Sequence, residues 1–155
     1  MRREIAIVIV LSMLFMIGTF ILLQDTNAIN KKMRIQITDL KYIQHGIIRI
    51  NNNTEFARIA QQEGWPGDGS ENNPYIIEGY DIDARGAGNC IYIGNTTVYF
   101  IIKNCYLHNS SYLSDLYFEG VGILLYNVQN GIIDNNTFSN NEMESILLYL
   151  SLIHI

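Results

Sequence analysis

The sequence is poor in cysteine, proline and charged residues. Its 155 positions include two cysteines, two prolines and 16% charged residues. Lysine and arginine total 10 against 15 aspartates and glutamates, and no basic run occurs, so nucleic acid is excluded as an expected partner. The scarcity of proline, together with frequent β-branched and aromatic residues, favours strands over helices beyond the N-terminus.

Motifs for metal binding are also missing. The best acidic turn, GDGSE at 67–71, offers only two carboxylates and lacks the EF-hand spacing. The sulfur atoms outside the N-terminal segment show no clustering that would suit copper(I). We therefore expect no metal site and no cofactor.

The longest apolar run is IAIVIVLSMLFMIGTFILL, residues 5–23, which follows Arg2 and Arg3. A helix of roughly 20 apolar residues spans a membrane, so residues 1–28 predict a retained anchor or a long signal peptide cleaved near Ala28. Either interpretation places the remaining chain outside the cytoplasm, membrane-anchored or secreted, with the N-terminus inside. A buried core helix is the third alternative.

In an exported protein, N-x-[ST] is the acceptor pattern for N-glycosylation, and the sequence contains four such patterns. They begin at Asn52, Asn95, Asn109 and Asn135. The first three are candidate glycosylation sites, and the alternative is chance matching in an asparagine-rich chain. Cys90 and Cys105 are interpreted as small buried or corner residues, with a disulfide in an oxidising compartment as the alternative.

Short apolar segments that end in Asn or Gly recur along the chain with a period in the low twenties of residues. The clearest copies are IKNCYL at 102–107 and IDNNTF at 133–138, and IEGYDI at 77–82 is a weaker one. A second segment repeats as IYIGN at 91–95, ILLYN at 123–127 and ILLYL at 146–150. The last copy has Leu150 where asparagine is expected.

This period, with two short apolar segments in each repeat, indicates a solenoid. No segment is long enough for a helix of roughly 10–12 residues, so each predicts a strand of about three to five residues, stacked in parallel ~4.8 Å from the next. Ile133 should then lie over Ile102. Asn104 and Asn135 should occupy corners, where asparagine tolerates left-handed backbone and its amides form a ladder.

The predicted organisation has four parts. They are the segment 1–28, a linker at 29–44, an N-terminal cap at 45–74 and repeats at 75–155. The cap holds a strand, HGIIRI, and a short helix, TEFARIAQQEG, with Asn53 or Thr54 as its N-cap. Trp65 is expected to pack within this cap.

The stretches GWPGDGSENNPYIIEGYDIDARG, CIYIGNTTVYFIIKNCYLHNS and GILLYNVQNGIIDNNTFSNN, in this order, resemble exported right-handed parallel β-helix repeat proteins. These are common in archaea and are often named for their similarity to NosD-type periplasmic proteins. The resemblance covers residues 45 to 150. It implies an all-β, right-handed parallel β-helix of the carbohydrate-binding and sugar-hydrolase type, here with about three coils and two N-terminal helices, one hydrophobic and one capping.

Such proteins usually continue for many coils, whereas this chain stops at Ile155, soon after a coil begins. We therefore expect a fragment. The alternative is a short protein that covers its open end by end-to-end self-association.

The candidate catalytic pair is Asp81 and Asp83, because sugar cleavage needs two carboxylates roughly 5–10 Å apart. The repeat alignment places Tyr106 and His108 beside them, which is not a typical lyase set. His108 is therefore expected to be solvated, and enzymatic activity is not the leading prediction.

The leading hypothesis is a surface binding, adhesion or structural module that contacts polysaccharide or cell-surface glycan. Its candidate contact residues are Tyr92, Tyr99, Tyr106 and Tyr126. One alternative is a polysaccharide lyase or glycoside hydrolase whose catalytic coils lie beyond this chain. A second alternative is a NosD-type periplasmic metal-maturation factor.

Overall fold

The computed structural model describes residues 16, 19, 23–32, 41–112 and 119–155. The chain divides into two compact units, Met1–Lys41 and Tyr42–Ile155. In the first unit, residues 23–32 are helical, but nearly all of the apolar segment 5–23 lies outside the described residues. Among the residues that are described, no helix has the length and apolar character needed to cross a membrane. The signal peptide or anchor therefore stays a prediction.

The second unit is built mainly of short strands. Its described elements are β1 (Ile43–His45), β2 (Ile48–Ile50), helix α1 (Asn53–Glu63), β3 (Tyr75–Glu78), β4 (Tyr80–Asp83), β5 (Ile91–Thr96), β6 (Phe100–Lys103), β7 (Tyr106–His108), β8 (Ile123–Asp134), β9 (Thr137–Ser139), β10 (Ile146–Tyr149) and β11 (Leu152–His154). The linker predicted over 29–44 thus begins in helix and ends in strand β1.

Two parallel sheets organise these strands. One has the order β1-β4-β7-β9, and the other has the order β2-β5-β8-β6-β3, with β10 and β11 also paired to β8. Every pairing between these strands is parallel. The mostly-β class is confirmed.

The strand register follows the sequence repeat. Ile102 lies opposite Ile133, and Leu107 lies opposite Phe138, as the repeat alignment predicts. Because side chains alternate between the two sides of a strand, a shift of one residue would turn every apolar side chain outward. The observed register therefore keeps Ile77, Ile102 and Leu107 in the interior.

Strand β8 is longer than predicted. It runs over 12 residues, whereas the repeat pattern predicts strands of about three to five residues. Its first part pairs with β5, at Ile123 through Val128, and its last part, Gly131 through Asp134, pairs with β6. Two predicted strands are thus joined, because backbone pairing continues on both sides of the bend at Asn127, where φ is 51°.

The core consists mainly of branched aliphatic side chains contributed by successive repeats. Those without exposed surface include Ile50, Ile77, Ile82, Ile91, Ile93, Ile102, Leu107, Ile123 and Leu125. Burying a side chain of this size stabilises the fold by about 1.5–3 kcal/mol. Cys90 and Cys105 are also fully buried and are both free thiols.

Helix α1 covers the core beside β2. Its N-cap is Asn52 rather than the predicted Asn53 or Thr54, and the Asn52 side chain accepts a hydrogen bond from the backbone N–H of Glu55 over 2.8 Å. The helix ends at Gly64 in left-handed conformation, with φ of 70°, which glycine adopts without strain. The buried ring of Phe56 stacks on Tyr75, with centroids 5.1 Å apart.

Trp65 packs under this helix, as the cap interpretation predicts. It is 7% exposed, and its indole N–H donates to the Tyr80 hydroxyl over 2.9 Å. The polar end of the indole is satisfied within the fold, so Trp65 serves the packing of the cap.

Candidate functional site

The outward side of the β1-β4-β7-β9 sheet carries the two candidate catalytic carboxylates, Asp81 and Asp83, together with Tyr106 and His108. Ile82 and Leu107 point into the core, so the residues on either side of them point outward. Asp81 lies opposite Tyr106, and Asp83 lies opposite His108. We call this surface the Asp81 face; its members are Gln44, Asp81, Asp83, Tyr106, His108 and Asn109.

Asp81 is the centre of this face. One carboxylate oxygen lies 2.7 Å from Nε2 of His108, and the other accepts a hydrogen bond from the side-chain amide of Gln44. The two ionisable side chains are 19% and 16% exposed. His108, predicted to be solvated, is therefore a half-buried partner of a carboxylate.

Asn109 determines which nitrogen of His108 carries the proton. Its Nδ2 lies 2.8 Å from Nδ1 of His108, and an amide nitrogen can only donate. Nδ1 therefore accepts, and Nε2–H donates to Asp81. Both nitrogens of the His108 ring are therefore hydrogen-bonded within the fold.

Asp83 is held as a carboxylate. It accepts from Nδ2 of Asn109 and from the backbone N–H of Arg85, each over 3.1 Å. Burial acts to raise the pKa of Asp83, but the hydrogen bonds from Asn109 and Arg85 outweigh it and leave the pKa below its ordinary value. A general acid for sugar cleavage needs a raised pKa, so Asp83 is unsuited to that role.

Tyr106 presents its ring next to the carboxylates. The ring stacks on His108 with centroids 4.4 Å apart and an interplanar angle of 14°, and the ring of Tyr42 lies 5.9 Å away. Of the four candidate tyrosines, Tyr106 is the one placed on the Asp81 face.

The other candidate tyrosines belong to the second sheet or its turns. Tyr92 on β5 donates its hydroxyl to Asn51 over 3.0 Å, and burial raises its pKa. Tyr126 on β8 stacks on Tyr149, with centroids 5.4 Å apart and planes within 7°. Tyr99 lies half-buried just before β6. The four tyrosines do not form one continuous surface.

Asparagine ladders run along two corners. In the first, Nδ2 of Asn95 donates to Asn51 and Nδ2 of Asn127 donates to Asn95, both over 3.0 Å. In the second, Nδ2 of Asn135 donates to Asn104 over 2.7 Å.

The second ladder continues to a carboxylate. Nδ2 of Asn104 donates to Glu78 over 2.8 Å, because Gly79, which has the left-handed conformation in that repeat, has no side chain. The hydrogen bond from Asn104, followed by that from Lys103, lowers the pKa of Glu78. Asn104 and Asn135 have φ of 53° and 48°, the left-handed conformation that asparagine tolerates.

At two corners, Asn135 and Asn140, a second asparagine follows and has a role that the repeat alignment missed. Asn136 accepts from the backbone N–H of Cys105 and donates to the carbonyl of Ile102, both over 2.9 Å. Asn141 makes the same pair of contacts, to Ser110 and Leu107. The sequence indicates this role through the Asn-Asn pairs at 135–136 and 140–141. The first asparagine of each pair turns the chain, and the second binds the backbone of the preceding repeat.

Within the described part of the chain, no group of three or more His, Cys, Asp or Glu side chains is arranged to hold a metal ion. Burial raises the pKa of Cys90 to about 12 and raises that of Cys105 as well. Both cysteines are therefore protonated thiols at neutral pH, a form that is a weak metal ligand.

The chain has no match among protein-family models, curated proteins or solved structures.

Proposed function

We propose that residues 42–155 form a right-handed parallel β-helix of about three coils, of the exported repeat type that the sequence resembles. Three observations support this arrangement. All strand pairings are parallel, successive repeats pair in the register of the sequence period, and asparagines in left-handed conformation lie at matching corners.

We propose further that this module contacts carbohydrate through the Asp81 face. The observation that carries the proposal is the grouping of Tyr106, His108 and Asp81 on one outward strand surface. Aromatic rings offer sugars a flat apolar contact, and a few fixed polar groups orient a ligand. Asp81, Gln44 and Asn109 are fixed by their mutual hydrogen bonds, so they are organised before a ligand arrives.

The charge of this face selects among glycans. Asp81 and Asp83 are carboxylates, and Asp83 stays ionised because its pKa is lowered. Carboxylates of a bound sugar would be repelled by those of the protein when in contact with them. Neutral sugars or sugars with free amines therefore fit this face, whereas polyuronates are disfavoured.

Binding by the full chain can be measured calorimetrically against three soluble hexamers: a neutral glucan, a glucosamine oligomer and a galacturonate oligomer. We expect the galacturonate oligomer to bind most weakly. Replacing Tyr106 by alanine removes a ring contact of about 1–1.5 kcal/mol, which corresponds to roughly a tenfold loss of affinity.

The matched control is Tyr149→Ala, which removes an aromatic ring from the other sheet. Its affinity should equal that of the unmodified protein. Loss of binding in Tyr149→Ala together with full binding in Tyr106→Ala would assign the contact to the β8–β10 surface instead.

We propose an extracytoplasmic location, secreted or held by residues 5–23. The support is the uncharged segment after Arg2 and Arg3. Protease added to intact cells that express the full chain should digest the repeats of an anchored protein, and a secreted protein should appear in the medium. Protection inside the cell until lysis contradicts this location.

A further inference from the structure

The four N-x-[ST] patterns occupy two different structural environments. Three of their asparagines, Asn95, Asn109 and Asn135, lie at corners with φ between 48° and 56°. The fourth, Asn52, has extended backbone with φ of −170° and caps helix α1. The sequence pattern is the same in all four, so the structure must decide which amide nitrogen is available.

N-linked glycosylation replaces one hydrogen of Nδ2 and leaves Oδ1 unchanged. In Asn109, Nδ2 contacts Asp83 over 3.1 Å and His108 over 2.8 Å, so both of its hydrogens are in use. In Asn95, the amide lies between those of Asn51 and Asn127. Strand neighbours are ~4.8 Å apart, so a sugar on this nitrogen would force the ladder apart.

Asn52 has the opposite arrangement. Its Oδ1 is the atom used in the cap, accepting from Glu55, and among the described residues its Nδ2 has no hydrogen-bond partner. Asn52 and Thr54, which completes the pattern, are both exposed. Because the cap uses only Oδ1, a glycan on Nδ2 would leave the hydrogen bond to Glu55 in place.

We propose that, of the three candidate sites Asn52, Asn95 and Asn109, only Asn52 is N-glycosylated in the folded protein. The donor class is a lipid-pyrophosphate-linked oligosaccharide. A bond forms between Nδ2 of Asn52 and the anomeric carbon, the bond from that carbon to the phosphate oxygen breaks, the lipid pyrophosphate leaves, and Nδ2 gives up one proton. In the cell this modification depends on the extracytoplasmic location proposed above, but it does not depend on glycan binding at the Asp81 face.

The test treats the folded full chain with an oligosaccharyltransferase and lipid-pyrophosphate-linked chitobiose, and measures site occupancy by peptide mass spectrometry. Synthetic peptides that span each of the four patterns show what the enzyme accepts without the fold. We expect all peptides to react, and each rate in the folded chain is divided by the rate of its own peptide, because the Asn109 pattern ends in serine and the others end in threonine. In the folded chain, Asn52 should react at least tenfold faster than Asn95 or Asn109.

Asn52→Asp is the matched variant, because aspartate retains the N-cap hydrogen bond but has no amide nitrogen. It should fold normally and lose the modification. An unmodified Asn52 in the folded chain, whether or not its peptide reacts, overturns the proposal, as does modification of Asn95 or Asn109 at a rate equal to that of Asn52. Asn52→Asp should leave glycan binding unchanged, so failure here is separate from failure of the Asp81-face proposal.

Discussion

Replacing Asn104 by alanine tests what the corner asparagines contribute to the fold. Asn104 is in the middle of its ladder, donating to Glu78 over 2.8 Å and accepting from Asn135 over 2.7 Å. Its φ is 53°. The substitution therefore removes two side-chain hydrogen bonds and places alanine in a conformation that it tolerates poorly.

The magnitude follows from these two effects. Each hydrogen bond is half-buried at most and contributes about 0.5 kcal/mol, the low end of the usual range. Left-handed backbone costs a residue with a Cβ atom about 1 kcal/mol. Asn104→Ala should therefore lower the free energy of unfolding by about 2 kcal/mol, measured by urea unfolding of the full chain.

Asn104→Gly separates the two effects. Glycine loses the hydrogen bonds but adopts positive φ freely, so it should cost about 1 kcal/mol less than alanine does. The reasoning is refuted if glycine costs as much as alanine, or if both variants are as stable as the unmodified protein.

Three further predictions concern other parts of the fold. Leu150 has φ of 53° and is 70% exposed, at the position where the earlier repeats have Asn95 and Asn127. Because asparagine tolerates left-handed backbone better than leucine does, Leu150→Asn should raise the free energy of unfolding by about 1 kcal/mol. A destabilised variant would contradict this. Because burial raises the pKa of Cys90 to about 12, native thiols should react with a disulfide reagent at pH 8 at least about tenfold more slowly than urea-unfolded thiols; equal rates would mean that the thiols are accessible. The pKa values of Glu78 and Asp83 are lowered in the fold, so the two carboxylates stabilise it above their ordinary pKa values of 4.5 and 3.8. This stability is lost as the pH falls through the lower pKa values of the folded state. Asn104→Ala removes the hydrogen bond to Glu78 and should weaken this pH dependence of the free energy of unfolding, whereas an unchanged profile would rule out that hydrogen bond as its source.

The repeat and its register could be predicted because both rest on local rules. Alternating apolar residues define the inward side of a strand, and asparagine or glycine marks a corner. These rules are enough to pair Ile102 with Ile133. They also identify Leu150 as the departure from the pattern, and the structure gives it the same left-handed backbone as the asparagines of earlier repeats.

Other features depend on side-chain contacts between strands and could not be read from the repeat. The alignment places His108 beside Asp83, whereas its hydrogen bond goes to Asp81, because a long side chain reaches the diagonal neighbour of the adjacent strand. Gln44 comes from β1, which the sequence assigned to a linker. The N-cap is Asn52 rather than Asn53 or Thr54, and the Asn53 side chain instead binds the end of β5, accepting from the Thr96 hydroxyl over 2.6 Å.

The central claim is that successive repeats stack in parallel and in register, and cysteine cross-linking tests it most directly. Tyr106 lies opposite Thr137 on the outward side of β7 and β9, so Tyr106→Cys with Thr137→Cys should form a disulfide under mild oxidation, detected by mass spectrometry. Tyr106→Cys with Phe138→Cys is the control, because Phe138 belongs to the opposite side of its strand. A disulfide in the first variant and none in the second is the predicted result; cross-linking of the second variant alone, or of neither, would contradict the stacked arrangement.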